Sequence, residues 1–180
     1  MSAHDSTEKS AASLAPHGSG PVGVGVIGAG VISGAYLRSM SAFADLRVHA
    51  IGDQNPMAAA NRAEEYGIAT HGDVSAVLEH PEVEIVVNLT VPAAHVAVGE
   101  AAIAAGKHVW NEKPLALDLE AGRTLLEQAE AAGLRVGCAP DTVLGTGLQT
   151  ARRLIERGDI GRPLTALSLF QNPGPDLWHP

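Results

Sequence analysis

The stretch Val22-Gly23-Val24-Gly25-Val26-Ile27-Gly28-Ala29-Gly30-Val31-Ile32-Ser33-Gly34 decides how the rest of the chain is read. A β-branched run passes directly into Gly-x-Gly-x-x-Ser and then into a helical segment. Backbone N–H groups at the start of that helix therefore face whatever lies at the turn, which makes an anion site. Gly28 permits the tight turn, Gly30 lets a pyrophosphate approach the backbone, and Ser33 stands where a third small residue allows helix and strand to pack. An acid follows at the expected distance. Asp53 ends the second strand in Ala50-Ile51-Gly52-Asp53, twenty-three residues after Gly30. Its carboxylate can accept hydrogen bonds from adenosine ribose hydroxyls and would repel a 2′-phosphate. The alternative is a turn aspartate that caps the next helix. With no arginine in Gln54-Asn55-Pro56, the pattern favours NAD over NADP.

Working outward, short β-branched runs alternate with Ala-rich helical stretches, the signature of βαβ units and a parallel sheet covered on both faces. The runs predict strands over 22–27, 47–51, 68–70, 84–89, 108–111 and 135–138. Helices are predicted over 31–42, 56–66, 74–78, 93–105, 118–132 and 143–156. Pro56 suits a first helical turn, and Gly67, Gly106, Gly133 and Gly158 fall where a left-handed residue closes a helix. Right-handed crossovers then give an α/β, doubly wound (Rossmann) fold. We expect a flexible tail over 1–20, a dinucleotide-binding domain over 21–140, and over 141–180 a linker helix and the first strand of an incomplete α+β substrate domain. That last strand, Arg162 to Phe170, alternates as strands do.

Composition narrows the function classes. The chain has 180 residues, 46% of them hydrophobic and 18% charged, which suits one globular domain rather than a disordered polymer. A net charge of −8 with twelve basic residues argues against a phosphate-backbone partner, and 3% aromatics leave few platforms for single-stranded nucleic acid. No apolar run reaches the length of a membrane span and no signal peptide is recognisable, so the expected compartment is the cytoplasm. Cys138 is the sole cysteine, and the eight histidines show no His-x3-His or His-Glu-x-x-His spacing. Disulfide, zinc-finger and metal-catalysis readings are therefore set aside, with no metal site expected.

In a doubly wound sheet, ligands bind beyond the carboxyl ends of the strands. Gly28 to Ser33, Asp53, Thr90-Val91-Pro92, Glu112-Lys113-Pro114 and Ala139-Pro140-Asp141 should accordingly line one crevice. Lys113 stands out there, because Lys107 is the only other lysine beyond the tail. It can hydrogen-bond a substrate hydroxyl and exchange its proton, or it can pair with Glu112 and merely fix the loop. Pro114 makes a cis Lys113–Pro114 bond possible. Thr90 can touch a cofactor or act as a cap. His95 reads first as a packed or capping histidine and second as a catalytic one. Cys138 reads as a small buried hydrophobe before a reactive thiol.

Taken together, Gly28 to Ser33, Asp53, Thr90-Val91-Pro92 with His95, Ala105-Gly106-Lys107-His108-Val109-Trp110-Asn111-Glu112-Lys113-Pro114-Leu115 and Gly158-Asp159-Ile160-Gly161-Arg162-Pro163 resemble the Gfo/Idh/MocA oxidoreductases. The resemblance runs from about Pro21 onward. It implies an NAD(P)-dependent enzyme that moves a hydride between nicotinamide and a carbinol carbon of a sugar, polyol or related small molecule. Carried over residue by residue, it implies a cofactor site containing Gly28, Gly30, Val31, Ile32, Ser33 and Asp53, together with Thr90, Pro92, His95, Glu112 and Lys113. It also implies that Lys113 reaches both the nicotinamide ribose and the substrate hydroxyl, as the catalytic residue. A second domain with an open-faced sheet would supply the remaining site residues and a possible homo-oligomer contact. The alternative is a non-catalytic NAD-binding or partner-binding module.

Overall fold

A computed structural model describes residues 20–139, 142–169 and 171. The tail expected over 1–20, apart from Gly20, lies outside the described residues, as do Pro140, Asp141, Phe170 and the Pro173-Gly174-Pro175 run. Six strands form one all-parallel sheet: β1 (Val22–Ile27), β2 (Leu46–Gly52), β3 (Thr70–Gly72), β4 (Ile85–Asn88), β5 (His108–Asn111) and β6 (Val136–Cys138). Their order is β3-β2-β1-β4-β5-β6. The chain moves outward from β1 in one direction, then returns to add β4 on its other side. That reversal opens a crevice at the carboxyl ends of β1 and β4.

The connecting helices are α1 (Ser33–Met40), α2 (Pro56–Tyr66), α3 (Val74–Leu78), α4 (His95–Ala104), α5 (Leu119–Ala131) and α6 (Thr146–Glu156). Two hydrophobic clusters sandwich the sheet. Leu37, Met40, Ala63 and Ile68 pack with Val24, Val26 and Ile51 on one face. Val77, Ala102, Ile103, Leu125 and Ala129 pack with Ile27, Val86 and Val109 on the other. Burying each large aliphatic side chain contributes roughly 1.5–3 kcal/mol, so these clusters hold the strand ends, and hence the site, in register.

Local chemistry explains most boundaries. Asn55 caps α2, accepting hydrogen bonds from the N–H groups of Met57 (3.1 Å) and Ala58 (3.4 Å), with Pro56 in the first turn. Gly67, Gly106, Gly133 and Gly158 all take positive φ after helices, as expected. Two expectations are corrected. The third strand lies at Thr70–Gly72 rather than 68–70, because the Gly67 cap draws the Ile68 N–H back to the Ala63 carbonyl (2.9 Å) and sinks its side chain into the core. No strand forms over 162–169, since among the described residues no strand lies beside that segment to complete a ladder. Among the described residues, no helix is long and apolar enough to cross a membrane.

Candidate cofactor site

The glycine-rich turn is built as its residue types require. Gly28 has φ of 107°, and a Cβ there would lie 2.6 Å from the Leu89 carbonyl carbon and oxygen. Only glycine fits. At Gly30 the Cβ position meets nothing within 4 Å, so that face of the turn is open. Ser33 is fully buried and its hydroxyl donates to the Gly30 carbonyl at 2.6 Å, closing the turn onto the first residue of α1. Helix α1 starts two residues later than the periodicity suggests. Consequently Val31 and Ile32 stay in the turn, and the N–H groups of Gly30, Val31 and Ile32 have no hydrogen-bond partner among the described residues. Three free donors at a helix N-terminus are what an anionic diphosphate needs.

Asp53 lies across from them. Its Oδ2 accepts from the Ala29 N–H (2.7 Å) and its Oδ1 from the Asn55 N–H (2.8 Å). The carboxylate thus ties the turn after β1 to the loop after β2, while each oxygen keeps lone-pair capacity for a ligand hydroxyl. Asn55, not Asp53, caps α2. A cleft of about 240 Å³ runs between these groups, lined by Ile27, Gly28, Gly30, Asp53, Leu89 and Thr90, among others. An apolar cleft with the Gly30 turn and the Asp53 carboxylate side by side on its wall suits the diphosphate and ribose of an adenosine diphosphate moiety.

Beyond β4 and β5 a buried polar network replaces the apolar core. The parallel register sets Asn88 beside Asn111, both fully buried. Asn88 Nδ2 donates to Asn111 Oδ1 (2.8 Å) and to the His95 carbonyl (3.0 Å), and its Oδ1 accepts from the Thr90 hydroxyl (2.7 Å). Asn111 Nδ2 donates to the Leu115 carbonyl at 3.4 Å. The His95 ring is 1% exposed, with Nδ1 2.6 Å from the Pro114 carbonyl and Nε2 3.0 Å from the Thr90 carbonyl. His95 is therefore packed, as the first of its two readings has it, and it lies outside the cleft lining. It clamps the loop after β4 to the loop that carries Lys113.

Lys113 is exposed, and the Lys113–Pro114 bond is cis. Its Nζ has no hydrogen bond or ion pair among the described residues, so the pairing with Glu112 is not formed. Glu112 instead accepts from the Tyr36 hydroxyl (2.8 Å) and from the Lys113 backbone N–H (2.9 Å). Pro92 opens an exposed one-turn 3-10 helix, Pro92–Ala94. Cys138 is half-buried, and desolvation pushes its thiol above the ordinary value, which suits a packing role. Sequence reading missed Arg62. Its Nε donates to Ser33 Oγ (3.1 Å), its Nη2 to the Gly30 carbonyl (3.4 Å), and its Nη1 pairs with Glu65 (2.5 Å). The guanidinium braces the turn from behind and is already engaged, so it is no ready clamp for a 2′-phosphate.

A parallel six-stranded sheet, a glycine turn with free amides and an acid closing the far side define a dinucleotide-binding Rossmann domain. The model of an oxidoreductase family with an NAD-binding Rossmann fold, Gfo/Idh/MocA, matches residues 22–139, and the chain belongs to that family. Among curated relatives, a D-xylose dehydrogenase from Paenarthrobacter nicotinovorans is 33% identical over 109 residues, 60% of this chain and 28% of that protein. An inositol 2-dehydrogenase from Pseudomonas savastanoi pv. phaseolicola is 34% identical over 110 residues, 61% of this chain and 33% of the relative. The chain thus spans a third or less of the length of these two relatives. Among solved structures, the WlbA dehydrogenase from Bordetella pertussis, in complex with NADH and UDP-GlcNAcA, matches with a TM-score of 0.75 at 26% identity, covering 82% of this chain and 43% of that one. An NAD binding oxidoreductase from Klebsiella pneumoniae matches with a TM-score of 0.70 at 29% identity, over 80% of this chain and 41% of its own.

Proposed function

We propose that this domain binds NAD and forms the cofactor half of a dehydrogenase acting on a sugar, polyol or related small molecule. The observation that carries the reading is the run of free N–H groups at Gly30, Val31 and Ile32, beginning at Gly30 where the turn lines a cleft that Asp53 also lines. Bound there, NAD supplies the two-electron chemistry of carbinol oxidation or its reverse. The turn holds the pyrophosphate by charge-assisted hydrogen bonds, and Gly28 and Ser33 keep that turn in shape. Asp53 holds the adenosine ribose hydroxyls and disfavours a 2′-phosphate. Thr90 and Pro92 border the cofactor on the β4 side, and Glu112, held by Tyr36, positions the backbone of Lys113.

Lys113 is the catalytic residue in this proposal. Its Nζ has no partner among the described residues, so it is available to the substrate hydroxyl, donating a hydrogen bond and exchanging that proton as the carbinol carbon changes oxidation state. His95 and the Asn88–Asn111 pair hold the backbone from which Lys113 projects. In this proposal a second domain completes the substrate site and supports a homo-oligomer, and the reaction takes place in the cytoplasm.

NADH titrated into the 180-residue protein, followed by energy transfer from tryptophan, tests the cofactor half. Saturable binding with NADH tighter than NADPH is expected, and no binding at millimolar NADH would overturn the proposal. Dehydrogenase assays with a polyol and aldose panel, on the domain joined to a substrate domain, test Lys113. Lys113→Ala is expected to lower turnover at least a hundredfold with little change in NADH affinity. Unchanged turnover would remove Lys113 from catalysis.

A further inference from the structure

At the opposite, amino-terminal edge of the sheet, three metal-ligating side chains converge that no linear motif announces. His49 comes from β2, and His80 and Glu82 come from the turn between α3 and β4. One donor atom from each lies within 4.8 Å of the other two. The His49 and His80 ring centroids are 5.5 Å apart, and His49 Nδ1 is 3.5 Å from Glu82 Oε2. Two ligands on a tetrahedral Zn²⁺, bound at about 2.0–2.2 Å, stand about 3.3–3.6 Å apart. The His49–Glu82 spacing is already within that range. The His80 donor atom lies within 4.8 Å of both and completes the set by drawing nearer to them.

The turn that carries two of the three groups is held rigidly. Lys107, 7% exposed, donates from Nζ to the carbonyls of His80 (3.0 Å) and Val83 (2.8 Å). The Glu84 N–H donates to the Gly23 carbonyl (2.8 Å), and a Cβ at Gly23 would overlap the Glu82 carbonyl, so the turn sits hard against β1. His49 is itself largely covered, with 13% of its side chain exposed, whereas Glu82 is open to solvent. The result is a largely covered His49 and a half-buried His80 beside a solvent-exposed carboxylate.

We propose that His49, His80 and Glu82 form a binding site for a divalent transition metal, Zn²⁺ in the first instance. Two imidazoles and one carboxylate are a donor set zinc accepts, with water as the fourth ligand. Without metal, His80 Nδ1 accepts from the Glu82 N–H at 3.3 Å, so the ring proton is on Nε2. Coordination through Nδ1 replaces that long hydrogen bond, and coordination through Nε2 moves the proton to Nδ1. A metal here links β2 to the α3–β4 turn, well away from the cofactor cleft, so it stabilises the domain and takes no part in hydride chemistry.

Isothermal titration of the whole chain with Zn²⁺ tests the site, alongside visible absorption of bound Co²⁺ as a report of tetrahedral geometry. One Zn²⁺ per chain is expected, with a tenfold or greater loss of affinity in His49→Ala and His80→Ala. His71→Ala, at the exposed residue of β3, and a variant lacking His4 and His17 are expected to bind as the parent does. Glu82→Gln changes an exposed side chain, so it keeps the test decisive if a histidine variant fails to fold, and the same tenfold loss is expected. Absence of stoichiometric binding at 100 μM Zn²⁺ would overturn the proposal, as would binding that survives Glu82→Gln and both histidine changes.

Discussion

Replacing Gly30 by alanine separates a cofactor role from a folding role, because the two make opposite demands at this position. The added Cβ meets no protein atom within 4 Å and Gly30 does not require positive φ, so the fold tolerates it. The expected change in unfolding free energy is within about 0.5 kcal/mol, as for an unencumbered surface site. A bound diphosphate must come within hydrogen-bond distance of the Gly30, Val31 and Ile32 amides, and the methyl group occupies part of that approach. Loss of one charge-assisted hydrogen bond costs about 1.5–3 kcal/mol, which corresponds to roughly a 10- to 150-fold weaker Kd for NADH. Gly28→Ala is the opposing control. Its Cβ would lie 2.6 Å from the Leu89 carbonyl at φ of 107°, so it is expected to destabilise the domain by roughly 3 kcal/mol or more. Thermal melts and NADH fluorescence titrations on the two variants provide the comparison. Parental NADH affinity in a folded Gly30→Ala protein would refute the reasoning, because the diphosphate would then not approach the turn.

Three further outcomes follow from the same geometry. Asp53→Asn removes the charge that opposes a 2′-phosphate, so the ratio of NADPH to NADH affinity is expected to rise about tenfold, read by paired titrations. His95→Ala removes the buried ring that sits between the Thr90 and Pro114 carbonyls and is expected to cost about 1–3 kcal/mol in urea unfolding, with a change of a few tenths contradicting the clamp. Asp73 caps α3, and hydrogen bonds from the Ser75 hydroxyl and N–H hold its carboxyl below the ordinary value. Its folded pKa is thus lower than its unfolded one, so this contribution is fully present above about pH 4 and is lost as pH falls through the folded value. Asp73→Asn is expected to flatten that part of an acid-unfolding curve.

The parts of the site that were legible in the sequence are those whose chemistry is local. Gly28, Gly30 and Ser33 declare themselves because a strand, a turn and a helix follow one another within a dozen residues, and Asp53 because the second strand must end beside the first. The Asn88–Asn111 pair was not legible as a network, since it exists only when β4 and β5 are neighbours in register. His95 was readable as packed, but its clamp between two loops depends on the Pro114 carbonyl nineteen residues away. Arg62 and Tyr36 lie on helices whose faces are set by packing on the sheet, so their bonds to Ser33 and Glu112 left no linear trace. The alternation gave no strand over 162–169 for the converse reason: a strand needs a ladder partner as well as a pattern.

The most direct test of the central claim is a ¹H–¹⁵N correlation spectrum of the uniformly labelled chain titrated with NAD. The amide resonances of Gly30, Val31 and Ile32 are expected to move together and to saturate with those of Asp53 and Thr90. Saturable shifts that leave residues 28–33 unmoved would contradict the assignment of this turn as the cofactor site.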